Sequence, residues 1–192
     1  MKRAAILHGT NGDPRKSGWQ KWTKSILTQA GYEVFFPHLP DSNEPDLTKY
    51  DAFIKQSGWD FGGNVVIAHS SGTSALLHLL GQKWFPPIQA AVLVGTFLNV
   101  SKLKGVDWYT PGQFDKLFVE NIDIQTVAVK SKSFYFIHGS DDPYCDYNEA
   151  KALCKKLNGT FTTVYGGGHL SSSSRADGFP ELLNVLKQNK II

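Results

Sequence analysis

Residues 64–69, NVVIAH, are apolar at almost every position and pass without a spacer through Ser70-Ser71-Gly72 into the helical spacing of TSALLHLL. A strand with one wet face alternates apolar and polar side chains. A strand this continuously apolar is buried on both faces, as in a parallel sheet covered by helices on either side. The rest of the chain repeats the pattern. Strands are predicted at 3–8, 32–36, 64–69, 90–96, 133–138 and 160–165, with helical spacings of three and four at 18–30, 46–57, 71–81, 146–157 and 179–189. This alternation predicts an α/β fold, a three-layer α/β/α sandwich on an open parallel sheet, with chemistry gathered at the carboxyl ends of the strands.

At 192 residues the chain fits one domain, expected to span 1–192. Residues 97–132 break the rhythm. They mix aromatics with turn residues and are too long for a simple crossover, so a short cap over the site is expected, with a ragged crossover helix as the alternative. A hydrophobic share of 41% against 19% charged residues fits a globular chain and not a disordered one. The net charge of +3 comes from dispersed Lys and Arg, which argues against nucleic acid as a partner.

No segment approaches the roughly 18 apolar residues that span a bilayer, and the start MKRAAILHG lacks a signal-type apolar run. The expectation is a soluble cytoplasmic protein without membrane contact, and no protein partner is indicated. Cys145 and Cys154 make neither a CxxC pair nor a disulfide framework, so both are read as free thiols, Cys154 in a helix core and Cys145 more exposed.

The turn Ala68-His69-Ser70-Ser71-Gly72 has the form G-x-S-x-G with Ala in first place, the nucleophile elbow that joins a buried strand to a helix. Small residues two before and two after Ser70 suit the close approach of strand and helix. An elbow would lift the Ser70 hydroxyl above the sheet, at a helix N-terminus able to stabilise developing negative charge. The bland reading is that Ser70 and Ser71 merely cap a helix. The N–H of Ser71 is then one candidate oxyanion donor. The loop after the first strand, HGTNG, offers the second, assigned to Thr10 with Asn11 as the alternative; it lacks the spacing of a phosphate loop. His8 is read as structural.

Later strand ends supply the other two groups. HGSDDPY holds adjacent carboxylates, of which Asp142 is the expected acid and Asp141 the alternative, and VYGGGHL brings His169 after three glycines that let the loop bend back over the sheet. The chain order Ser, Asp, His, each just past a strand, is that of α/β-hydrolases. His38, His78 and His138 are assigned no role. No His, Asp and Cys spacing forms a zinc pattern, and acyl transfer through such a triad needs no metal or organic cofactor.

HGT near the start, AHSSG, HGSDDPY, and GGGHL before DGFPELL together resemble the compact serine hydrolases related to retinoblastoma-binding protein 9 and its bacterial counterparts. The resemblance runs over nearly the whole chain. It implies a minimal α/β-hydrolase fold with sheet order 2-1-3-4-5-6 and a triad carried onto Ser70, Asp142 and His169. Cys145-Asp146 stands where relatives often have a Val-Pro-like pair.

The expected function is hydrolysis of small carboxylic esters, with amides or thioesters as variants, through an acyl-enzyme intermediate. Asn11, Trp108, Tyr109 and Phe114, with Phe118, are candidate pocket residues. Two other readings stay open: an interaction module whose triad is secondary or vestigial, and hydrolysis by a Cys145 nucleophile.

Overall fold

The computed structural model of the protein describes residues 1–10, 13, 18–118, 123–171, 173–175 and 178–192. Among these, six strands pair in parallel: β1 (Lys2–Leu7), β2 (Tyr32–Phe35), β3 (Val65–His69), β4 (Ala90–Val94), β5 (Phe134–Gly139) and β6 (Thr160–Val164). Their order is β2-β1-β3-β4-β5-β6, as expected. The helices are α1 (Trp19–Gln29), α2 (Leu47–Gln56), α3 (Ser71–Gly81), α4 (Ile124–Val129), α5 (Tyr147–Lys156) and α6 (Pro180–Gln188).

The strands divide their side chains between two cores, because successive residues of a strand point to opposite faces. Ala5, Leu7, Val66, Ala68, Ala91, Leu93, Phe134 and Phe136 face one side, where α2, α3, α4 and α5 cover them. Ala4, Ile6, Val65, Ile67, Val92, Val94 and Ile137 face the other, under Trp19 and Leu27 of α1 and Leu182, Val185 and Leu186 of α6. Burying each large apolar side chain contributes about 1.5–3 kcal/mol. Continuous apolar strands are therefore the direct consequence of two covered faces.

Helix α4 was not among the predicted helices. It lies inside the irregular 97–132 stretch, where Asp123 caps it by accepting from the N–H groups of Gln125 and Thr126 (3.0 and 3.3 Å). Its six residues, IQTVAV, hold two β-branched valines, one threonine and one isoleucine, so helical propensity is weak and packing of Val127 holds it. Ahead of it, residues 97–118 form a succession of turns that bury Phe97, Leu103, Phe114 and Leu117. Lys116 O accepts from Leu47 N (3.1 Å), and Gln113 Nε2 donates to Asn43 O (2.7 Å), which ties this stretch to the start of α2.

Strand β3 meets α3 in close packing against the end of β1. A Cβ on Gly72 would stand 2.5 Å from Leu7 O and 2.6 Å from His8 O, so only glycine lets α3 begin against the end of β1. These are main-chain atoms of one segment, Leu7 and His8, so no side chain can swing aside to make room. Gly72→Ala is expected to cost about 1–3 kcal/mol through overpacking, measured as a lowered urea midpoint at unchanged slope.

Candidate active site

Ser70 caps α3 with φ 53° and ψ −126°, a conformation that a non-glycine residue adopts only when its surroundings hold it there. Its N–H donates to Val94 O of β4 (3.0 Å), and its carbonyl accepts from Thr73 N and Thr73 Oγ1 (2.8 and 2.6 Å). The sharp turn raises the side chain above the strand ends. There Ser70 Oγ lies 3.0 Å from His169 Nε2, and the other ring nitrogen, Nδ1, lies 3.1 and 3.0 Å from Asp142 Oδ1 and Oδ2. Residues from the ends of β3, β5 and β6 thus converge in one hydrogen-bonded line.

The adjacent carboxylates separate cleanly. Asp142 is buried, at 2% exposure, while Asp141 is exposed and its Oδ1 accepts from Gly168 N (2.9 Å), pinning the loop that carries His169. Asp142 Oδ1 also accepts from Tyr144 N and Cys145 N (2.9 and 3.0 Å). Burial pushes the Asp142 carboxyl up. The hydrogen bond and charge of His169, joined by those two backbone donors, outweigh it and hold the group below the ordinary carboxylate value.

Cys145 departs from the expectation of exposure. At 1% exposure it is buried behind the acid, with Sγ 3.8 Å from His169 Nδ1, because its backbone closes the turn onto Asp142. Ligand-type atoms of Asp142, Cys145 and His169 all lie within 4.8 Å of one another. The carboxylate and Nδ1 are already engaged with each other.

The loop after β1 reaches the elbow through Thr10, whose Oγ1 donates to Ser71 Oγ (2.8 Å). His8 braces the same loop: Nδ1 pairs with Gly9 O (2.7 Å) and Nε2 accepts from Leu39 N (2.8 Å), which fits the structural role expected of it. Ser71 is the first residue of α3, so its N–H has no helical carbonyl to pair with. Asn11 lies outside the described residues.

Of the expected pocket aromatics, Trp108 is exposed (38%) and Tyr109 and Phe118 are half-buried. Phe114 departs from that expectation: at 2% exposure it sits inside the core against Phe97, Tyr109 and Phe118. Tyr144 went unrecognised in the sequence. Its ring meets Trp108 edge-on at 5.2 Å and His169 edge-on at 5.0 Å. The only signal was its place two residues after Asp142, in HGSDDPY. Lys102 Nζ also reaches this corner, donating to Asp142 O (3.1 Å).

A parallel sheet of this order with an elbow after β3 is the α/β-hydrolase fold. The chain belongs to the serine hydrolase family, whose model matches residues 4–188, and it is accordingly a hydrolase. Among solved structures, the ydeN gene product of B. subtilis superposes with a TM-score of 0.85 at 20% identity, covering 98% of each chain. A structure from work on carboxylesterases of the thaumarchaeon Nitrososphaera gargenis gives 0.76 at 11% identity, covering 99% of this chain and 90% of that one. Carboxylesterase CesB of Bacillus subtilis gives 0.64 at 12% identity, covering 95% and 81%. At these identities the likeness is one of fold. No curated protein matches in sequence. Among the described residues no helix is long and apolar enough to cross a membrane.

The lowered pKa of Asp142 carries a stability consequence with a definite sign. Its stabilising contribution is complete above the unfolded-state value near ~3.9 and is lost as pH falls through the lower folded value. Asp142→Asn lacks this acid-sensitive contribution. The stability gap between wild type and Asp142→Asn, followed by urea unfolding from pH 7 downward, is therefore expected to narrow below about pH 4.

Proposed function

We propose that the protein hydrolyses small carboxylic esters through an acyl-enzyme, with Ser70 as nucleophile, His169 as base and then acid, and Asp142 as the orienting carboxylate. The observation that carries this reading is the unbroken line from Ser70 Oγ through His169 to buried Asp142, with both links near 3.0 Å. Ser70 Oγ attacks the carbonyl carbon while its proton passes to His169 Nε2. Asp142 holds Nδ1–H and stabilises the imidazolium. The tetrahedral intermediate then collapses, and Nε2–H protonates the leaving alkoxide. Water attacks the acyl-enzyme in turn, giving its proton to Nε2, and the second tetrahedral intermediate collapses to release the acid as Nε2–H returns the proton to Ser70 Oγ.

The N–H groups of Ser71 and Thr10, with Asn11 as alternative to Thr10, serve as oxyanion donors; the positive end of α3 favours the same charge. Residues 97–118 act as the cap of a single domain. They reach Asp142 through Lys102 and reach His169 through Trp108 and Tyr144. Trp108 and Tyr109 offer apolar surface to a small substrate. The carboxylesterase identity of two fold relatives supports esters ahead of amides and thioesters, which the same triad can attack.

A fluorophosphonate probe and p-nitrophenyl esters of graded chain length test this reading. The probe is expected to label wild type and not Ser70→Ala. Absence of labelling on folded protein would sink the Ser70 triad reading in favour of an interaction module with a vestigial triad, and equal labelling of the variant would sink it in favour of another nucleophile. Asp142→Asn is expected to lower kcat about 10⁴-fold. Asp141→Asn keeps an acceptor for Gly168 N and is expected to stay within about tenfold of wild type, the scale of one weakened hydrogen bond.

A further inference from the structure

We propose that His69 and Trp19 are positioning residues that clamp the main chain of the His169 loop and so set the alignment of His169 on Ser70; this rests on the triad reading above. The loop needs such a device. It runs through Gly166, Gly168 and Leu170 at φ 64°, 56° and 52°, a left-handed path with much freedom to lose, yet it must deliver Nε2 to one position.

Its N–H groups are held from the β5 side, by Ser140 Oγ on Gly166 N (3.3 Å) and Asp141 Oδ1 on Gly168 N. Its carbonyls are held from the opposite side by two ring N–H donors. His69 Nε2 lies 3.1 Å from the carbonyl oxygen of His169 itself, and Trp19 Nε1 donates to Leu170 O (2.9 Å). The two rings meet edge-on at 5.6 Å, and Trp19, fully buried at the start of α1, is fixed in turn by Phe179 at 5.2 Å. His69 directly precedes Ser70. The residue beside the nucleophile therefore grips the backbone of the residue that bears the base.

A carbonyl only accepts, so His69 must carry hydrogen on Nε2. Burial first, and then the neighbouring charge of His169, push its pKa down to about 3, which keeps the ring neutral. A neutral ring 5.0 Å from His169 holds the loop without repelling the imidazolium that forms there. It also leaves the Ser70 proton to His169 alone.

Two amide substitutions separate donation from filling. His69→Gln can place an amide N–H where Nε2 stood; His69→Asn stops short of it. With p-nitrophenyl acetate and the full chain, His69→Asn is expected to lose about tenfold to a hundredfold in kcat. KM should stay unchanged, and His69→Gln should recover most of the loss at matched thermal stability. Equal kcat in the two variants, or a lower kcat in His69→Gln, overturns the clamp. Trp19→Phe keeps an aromatic ring and removes the Nε1 donor, so it reads the clamp independently of position 69. A kcat reduced about tenfold in that variant supports the clamp, and a wild-type kcat overturns it. Ser70→Ala is run beside them: wild-type turnover that survives it overturns the triad reading and the clamp together, whereas Ser70-dependent turnover confines failure to the clamp.

Discussion

The Asp142 side chain has no exposed surface, and a buried carboxylate is tolerated only where donors answer it. Three do: His169 Nδ1 and the N–H groups of Tyr144 and Cys145. Two of these come from its own turn. The third comes from the loop after β6, so that loop must dock before the acid is paired, and the ends of β5 and β6 order together. Their approach is close enough that a Cβ on Gly139 would stand 2.0 Å from Gly168 O. Asp146 then caps α5 through Asn148 N and Glu149 N (2.8 and 3.0 Å), which ends the acid turn within four residues of Asp142.

The Ser70 side is held by a different means. Strain of about 1–3 kcal/mol at a left-handed non-glycine residue persists only where its neighbours over-determine it. Ser70 is fixed by β4 through Val94 O, by Thr73 through its own carbonyl, and by α3 starting hard against β1 at Gly72. Central strands buried on both faces make this frame stiff. The loop that carries His169 is instead joined to this frame by polar contacts from Asp141, His69 and Trp19.

This difference explains what could be read from residue order. The strands and the elbow were legible because covered faces demand continuous apolar runs and because a strand-to-helix turn demands small residues at fixed offsets. Long-range satisfaction of polar groups has no such local signature. Nothing in Asp141-Asp142 says which carboxylate turns inward until the Tyr144 and Cys145 N–H groups are seen to close on Asp142. Trp19 and His69 read as a helix start and a strand end, since their partner carbonyls lie 151 and 100 residues away. Phe114 looked like a pocket wall for the opposite reason: exposed and buried aromatics have the same spelling in an irregular stretch.

Cys145 shows how placement decides chemistry where composition cannot. A thiol is intrinsically the better nucleophile, and this one lies 3.8 Å from the imidazole. It faces Nδ1, the nitrogen committed to Asp142, while Nε2 is turned to Ser70. Burial, and next the Asp142 charge, raise the thiol well above its ordinary pKa, opposing the thiolate that attack requires. In the proposed acyl transfer Ser70 needs no prior ionisation, because Nε2 takes its proton as the bond to the carbonyl carbon forms. Burial and, next, the carboxylate paired with His169 thus both oppose the Cys145 thiolate, and under the proposed mechanism the site favours oxygen over sulfur.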